Sequence, residues 1–95
     1  MDDFVKRQLT QMRFQVADFR SGKISLNTFL TQIETLARMV DEKLWAEAIY
    51  PIAFELEQIN ADLVEERRKP TPEESKMLEE LLLKLESLIA EKANQ

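Results

Sequence analysis

Residues 41–66 read DEKLWAEAIYPIAFELEQINADLVEE. Wound at about 100° per residue, Ile49, Ile52, Leu56, Ile59 and Leu63 all fall within about 40° of Trp45. A narrow apolar stripe of this kind, with Leu44 beside it, marks an amphipathic helix that turns one side to a core. The stripe predicts a helix from about residue 41 to about residue 69, third in the chain. Pro51 lies inside it. Proline removes one helical hydrogen bond and collides with the preceding turn, so a kink or short break is expected at Tyr50-Pro51.

Helical spacing recurs on both sides. Val5, Leu9, Met12, Val16 and Phe19 form one stripe over residues 3–20, which ends at Ser21-Gly22. Gly22 is the only glycine in the chain and suits a left-handed C-cap. Ser25 then caps a helix over residues 26–40, with Leu26, Phe29, Leu30, Ile33, Leu36, Ala37 and Val40 inward. The short connection predicts an antiparallel hairpin of helices one and two. Arg67, Arg68 and Lys69 close the third helix, where cations favour the negative pole of its dipole. Thr71, Pro72 and Glu74 form a capping box for a fourth helix over residues 72–93. That helix, about 33 Å long at ~1.5 Å per residue, turns Leu78, Leu81, Leu82, Leu85, Leu88 and Ile89 inward. The expected fold is all-α, a compact three- to four-helix bundle over a single domain, 1–95, with its third helix kinked near Pro51.

Composition narrows the chemistry. The 95 residues include no cysteine and no histidine. Disulfides, thiolate metal sites and thiol catalysis are removed, as are the commonest general base and metal ligand. Residues 17–28 fail as a calcium loop: with Gly22 at the sixth position, Ala17, Phe19 and Ser21 take the first ligand positions and Thr28 the place of the bidentate glutamate. The paired carboxylate motifs of all-α nucleotide pyrophosphohydrolases reduce here to Asp62 and Glu65 alone, and no glycine-rich phosphate loop exists. No catalytic residue, metal site or cofactor is expected, and the protein is not expected to be an enzyme. The amino terminus is acidic where a secretory signal is basic, and no apolar run approaches the ~20 residues of a membrane span. These features predict a cytoplasmic protein without a membrane partner. The net charge of −5 argues against direct nucleic-acid binding. The bases of the first hairpin (Lys6, Arg7, Arg13, Arg20, Lys23) are spread around their helix and make a weaker case for it.

The negative charge is concentrated. Residues 41–66 hold eight carboxylates and one base, a net of −7, while residues 1–40 carry +2 and residues 67–95 are neutral. Glu47, Glu55, Asp62, Glu65 and Glu66 lie between about 200° and 300° from Trp45, away from the core stripe. Like charges at these spacings, without cationic relief, mildly destabilise a helix. Phe54, at about 180°, and Tyr50, at about 140°, point outward beside them. Aromatic anchors flanked by steering charges have the make-up of a protein interface. Glu47, Tyr50, Phe54, Glu55, Asp62, Glu65 and Glu66 are therefore the candidate partner-binding residues. Phe14 and Leu83, also off their stripes, are candidates for a second packing face or a homodimer contact.

One stretch carries a family likeness. Phe19-Arg20-Ser21-Gly22-Lys23-Ile24-Ser25-Leu26-Asn27-Thr28-Phe29 resembles an early motif of small bacterial immunity proteins: an aromatic residue, a Gly-Lys-Ile-Ser-like turn, then a phenylalanine opening the second helix. Such proteins include colicin D type immunity proteins and helical immunity proteins of contact-dependent inhibition systems. Chain length, helical content and acidity fit as well. The resemblance implies a stoichiometric inhibitor that binds a toxin domain, often a nuclease acting on RNA, and covers its basic cleft with carboxylates. It matches no position of the acidic helix, so the candidate residues rest on their angles alone. The expected function is a bacteriocin-type immunity protein for a cognate toxin with a basic surface. The alternative is a self-associating helical scaffold or adaptor.

Overall fold

The computed structural model describes residues 2–95. Helix α1 spans Asp3–Arg20, α2 Leu26–Val40, α3 Tyr50–Glu66 and α4 Pro72–Ala93. A π-helical segment, Leu44–Ile49, runs directly into α3. Helices α1, α2 and α4 have the predicted boundaries.

The ends follow from local chemistry. The Asp2 carboxylate accepts from the Phe4 backbone N–H at 2.8 Å. At the end of α1 the Lys23 N–H donates to the Asp18 carbonyl and the Gly22 N–H to the Phe19 carbonyl, a Schellman pair, with Gly22 at φ +79°. Ser25 Oγ accepts from the Thr28 N–H and so opens α2. At α4 the capping box is complete: Thr71 Oγ1 accepts from the Glu74 N–H, and Glu74 Oε1 accepts from the Thr71 N–H.

The third helix departs from expectation in three ways. Asp41 is not its first residue but an extended junction after α2 (φ −172°, ψ 125°), whose carboxylate accepts from the Lys43 N–H. Pro51 causes no break. In an α-helical register its ring would press on the carbonyl of Glu47; instead the preceding turn opens, and the Tyr50 N–H donates to the carbonyl of Trp45, five residues back. Pro51 and the two residues whose carbonyls could lose its donor, Ala46 and Glu47, are all exposed, on the solvent side of the helix. Finally, the helix stops at Glu66, and no base lies in its last turn. The basic triplet begins at the C-cap, Arg67, and its Arg68 is drawn to Glu66 and Glu74. Arg67 sits in the left-handed region (φ 52°), and the N–H groups of Arg67 and Arg68 close a second Schellman pair on Val64 and Leu63.

Each helix packs on its chain neighbours, and α4 closes back on α1. The backbones of α1 and α3 do not come within 8 Å of each other, nor do those of α2 and α4, so the four form a ring in which these pairs are diagonal. All the stripe residues predicted to face inward are buried or half-buried. Phe19 and Phe29 stack at 5.1 Å between centroids. Among the described residues no polar side chain is buried. Arg20 bridges from α1 to Glu79 and Glu86 of α4, both at 2.6 Å.

Two substitutions test this framework by chemical denaturation. Phe29→Ala removes the fully buried ring and costs about 3–5 kcal/mol. Arg67→Gly relieves a side chain held in the left-handed region and raises stability by up to about 1 kcal/mol, net of the extra freedom of the unfolded chain.

Candidate acidic and aromatic surface

All seven predicted partner-binding residues are exposed. The π-helical segment modifies how they are grouped. Each of its residues turns the chain by less than the about 100° of an α-helix, so angles counted through it overstate the rotation between Glu47 and Tyr50. Two shoulders result, the rings toward α2 and Glu47 toward α4, with Glu65, eleven residues and about 20° on from Phe54, close to the aromatic one.

The aromatic shoulder borders α2. Trp45, 6% exposed, is its base. Tyr50 meets Trp45 edge-on at 5.8 Å, and Phe54 follows Tyr50 at 6.2 Å. Both outer rings are 47% exposed. The guanidinium of Arg38, on α2, lies 5.5 Å from the Trp45 ring centre and is held by Glu34 at 3.0 Å and Glu42 at 3.1 Å. Arg38 is thus part of the surface, and residue reasoning along the third helix missed it. Its i±4 carboxylates were legible, but its position over Trp45 was not.

The acidic shoulder borders α4. Glu47 shares a groove of about 280 Å³ with Asp41, Leu44, Leu88, Glu91 and Lys92. Its lining mixes charged and apolar side chains, Lys43 among them, and Lys92 approaches Asp41 at 3.8 Å. At the other end Glu66 pairs with Arg68, which also grips Glu74 through two bonds at 2.5 and 3.0 Å. Glu66 is therefore relieved by a cation, contrary to the sequence expectation. Glu47, Glu55, Asp62 and Glu65 have no ion-pair partner among the described residues. No base occurs between Lys43 and Arg67, so their mutual repulsion has no relief within the helix.

The Arg68 clamp has an electrostatic signature. Its guanidinium, followed by the Thr71 N–H, holds the Glu74 carboxyl down at about 2. The Arg68 pKa is in turn raised, first by Glu74 and then by Glu66. Arg20 is raised by Glu86 and then Glu79. Among the described residues no group of three or more acidic side chains is placed to hold a metal ion, and no helix is long and apolar enough to cross a membrane. Phe14 and Leu83, the other predicted off-stripe residues, are 55% and 54% exposed.

No family model, curated protein or solved structure matches the chain.

The depressed Glu74 carboxyl fixes the sign of one pH effect. Its unfolded pKa is about 4.3, so its contribution to stability is complete above that value and is lost as pH falls toward about 2. Acid titration of stability in Glu74→Gln should lack this component of the fall. An unchanged acid profile in that variant contradicts the clamp.

Proposed function

We propose that the protein is a cytoplasmic immunity protein, a stoichiometric inhibitor and not an enzyme, which covers the basic cleft of a toxin domain with its third helix. The observation that carries this is the pairing of two half-exposed rings, Tyr50 and Phe54, with carboxylates (Glu47, Glu55, Asp62 and Glu65) that make no ion pair among the described residues. An unrelieved carboxylate row costs the free protein stability, and the cost is recovered when cations of a partner arrive. The row has the charge of a nucleic-acid backbone, which suits a nuclease as the target. The roles divide by shoulder. Glu47, Glu55, Asp62 and Glu65 speed encounter, Glu66 contributes through its shared pair with Arg68, and Tyr50 and Phe54 slow release. Trp45, backed by Arg38, holds Tyr50 in place from below.

The resemblance of residues 19–29 to small bacterial immunity proteins points the same way and supplies the first test, the gene's neighbourhood. An immunity gene lies directly downstream of a toxin-delivery gene. The C-terminal domain of that toxin should form a 1:1 complex with this chain and lose its activity in it. In stopped-flow binding, changing Glu55, Asp62 and Glu65 together to Gln should lower the association rate about tenfold at low salt, with a smaller effect at high salt. Phe54→Ala should raise the dissociation rate about 30-fold, the equivalent of ~2 kcal/mol. Unchanged rates in both variants would move the binding surface elsewhere.

A further inference from the structure

The face of α1 diagonally across the bundle from α3 has the opposite charge and an aromatic of its own. Lys6, Thr10 and Arg13 follow one another along one side of α1 and line a groove of about 210 Å³ floored by Leu9 and by Ala93 of α4. Lys6, Arg7 and Arg13 have no carboxylate partner among the described residues. Asp18 lies more than a turn beyond Arg13, and Asp3, three residues before Lys6, makes no ion pair with it. Phe14 stands next to Arg13 with 55% of its surface exposed.

We propose that this face docks the acidic edge of α3 of a second copy of the chain. The spacing of the two surfaces agrees in detail. Lys6 and Arg13 are seven residues apart, about two helical turns. Glu47 and Glu55 are eight apart, but the π-helical segment between them takes up one extra residue, so they too repeat after about two turns. Laid parallel, α1 of one copy meets α3 of the other with Lys6 at Glu47 and Arg13 at Glu55. Phe14 follows Arg13 and Phe54 precedes Glu55. On facing parallel helices those opposite steps lead to the same side, so the two rings come together. Three groups of each surface (two charges and one ring) find partners in a single register.

The geometry also sets the kind of assembly. Because α1 and α3 are diagonal in the ring, each copy offers its two surfaces in different directions. The contact is head-to-tail and does not close into a two-fold dimer; it extends. A charge of −5 on every copy opposes it at long range, but salt screens that repulsion beyond about 10 Å at 0.1 M while the contact pairs persist. The association is therefore weak and concentration-dependent. It occupies the surface proposed for the toxin, so the toxin and a second copy exclude each other.

Sedimentation at 0.1 M salt across 10 µM to 1 mM, as about two decades of concentration, tests the proposal. The weight-average mass should climb from that of the 11.1 kDa monomer past twice that value. Arg13→Glu alone and Glu55→Arg alone should each weaken association at least tenfold, and an equimolar mixture of the two should regain it, because the reversed charges face one another. Arg13→Glu leaves toxin binding unchanged, which separates this proposal from the inhibitor function. Circular dichroism checks that both variants remain helical, with Arg13→Gln as the milder substitute. A wild-type chain that stays monomeric throughout, or an Arg13→Glu variant that associates as the wild type does, overturns the proposal.

Discussion

Pro51 has no N–H to give and a ring that an α-helical turn cannot hold against the carbonyl four residues before it. Around that constraint the third helix is arranged. The chain stays helical by widening the turn before the proline, with Tyr50 bonded to Trp45 across five residues. The widened turn sends Trp45 and Ile49 into the core and leaves Tyr50 outside, resting on the edge of the indole. From Tyr50 onward a regular α-helix carries Phe54 and the carboxylates outward at fixed spacing. The π-helical segment thus determines both which aromatic is buried and how Glu47 is phased against Glu55. A helix without Pro51 would keep a core stripe but would not need this division into an aromatic and an acidic shoulder.

The surroundings of that helix are tied down by arginines. Arg20 joins α1 to Glu79 and Glu86, about two turns apart on α4, and Arg68 joins the end of α3 to the start of α4. Arg38 lies over Trp45 between its own two glutamates. The cations nearest the acidic edge are thereby committed elsewhere, to Glu74 and Glu66 or to Asp41. None reaches Glu47, Glu55, Asp62 or Glu65. Lys43 stands one turn before Glu47, but among the 13 bases against 18 acids none lies within a turn of Glu55 or Asp62. That imbalance fits a surface whose complement lies in another molecule.

Much of the fold could be read directly from residues because it is governed by local chemistry. Thr71, Pro72 and Glu74 specify an N-terminus whatever surrounds them, and Gly22 meets a left-handed requirement that few other residues accept without strain. The inward stripes were equally plain, since each repeats over three or more turns. What escaped was either a choice between two helical registers or a contact between distant segments. Nothing in LWAEAI favours a π turn; it arises from Pro51 two residues later. Arg67 occupies a left-handed C-terminal position where the pattern expects glycine, so the helix was extended too far. Arg68 looked like a helix cap because its carboxylate, Glu74, lies beyond two prolines. The candidate surface was legible as a set of exposed side chains, whereas Arg38 and the groove beside Leu88 and Glu91 required α2 and α4 to be in place.

Hydroxyl-radical footprinting of the chain, free and mixed with the toxin domain that the proposal expects a neighbouring gene to encode, tests the central claim most directly. Tyr50, Phe54 and Phe14 all begin half-exposed or more, so each reports on its own side of the bundle. Burial of the α3 edge predicts that oxidation of Tyr50 and Phe54 falls sharply in the complex while that of Phe14 stays constant. Protection of Phe14 with Tyr50 and Phe54 still fully reactive would contradict it.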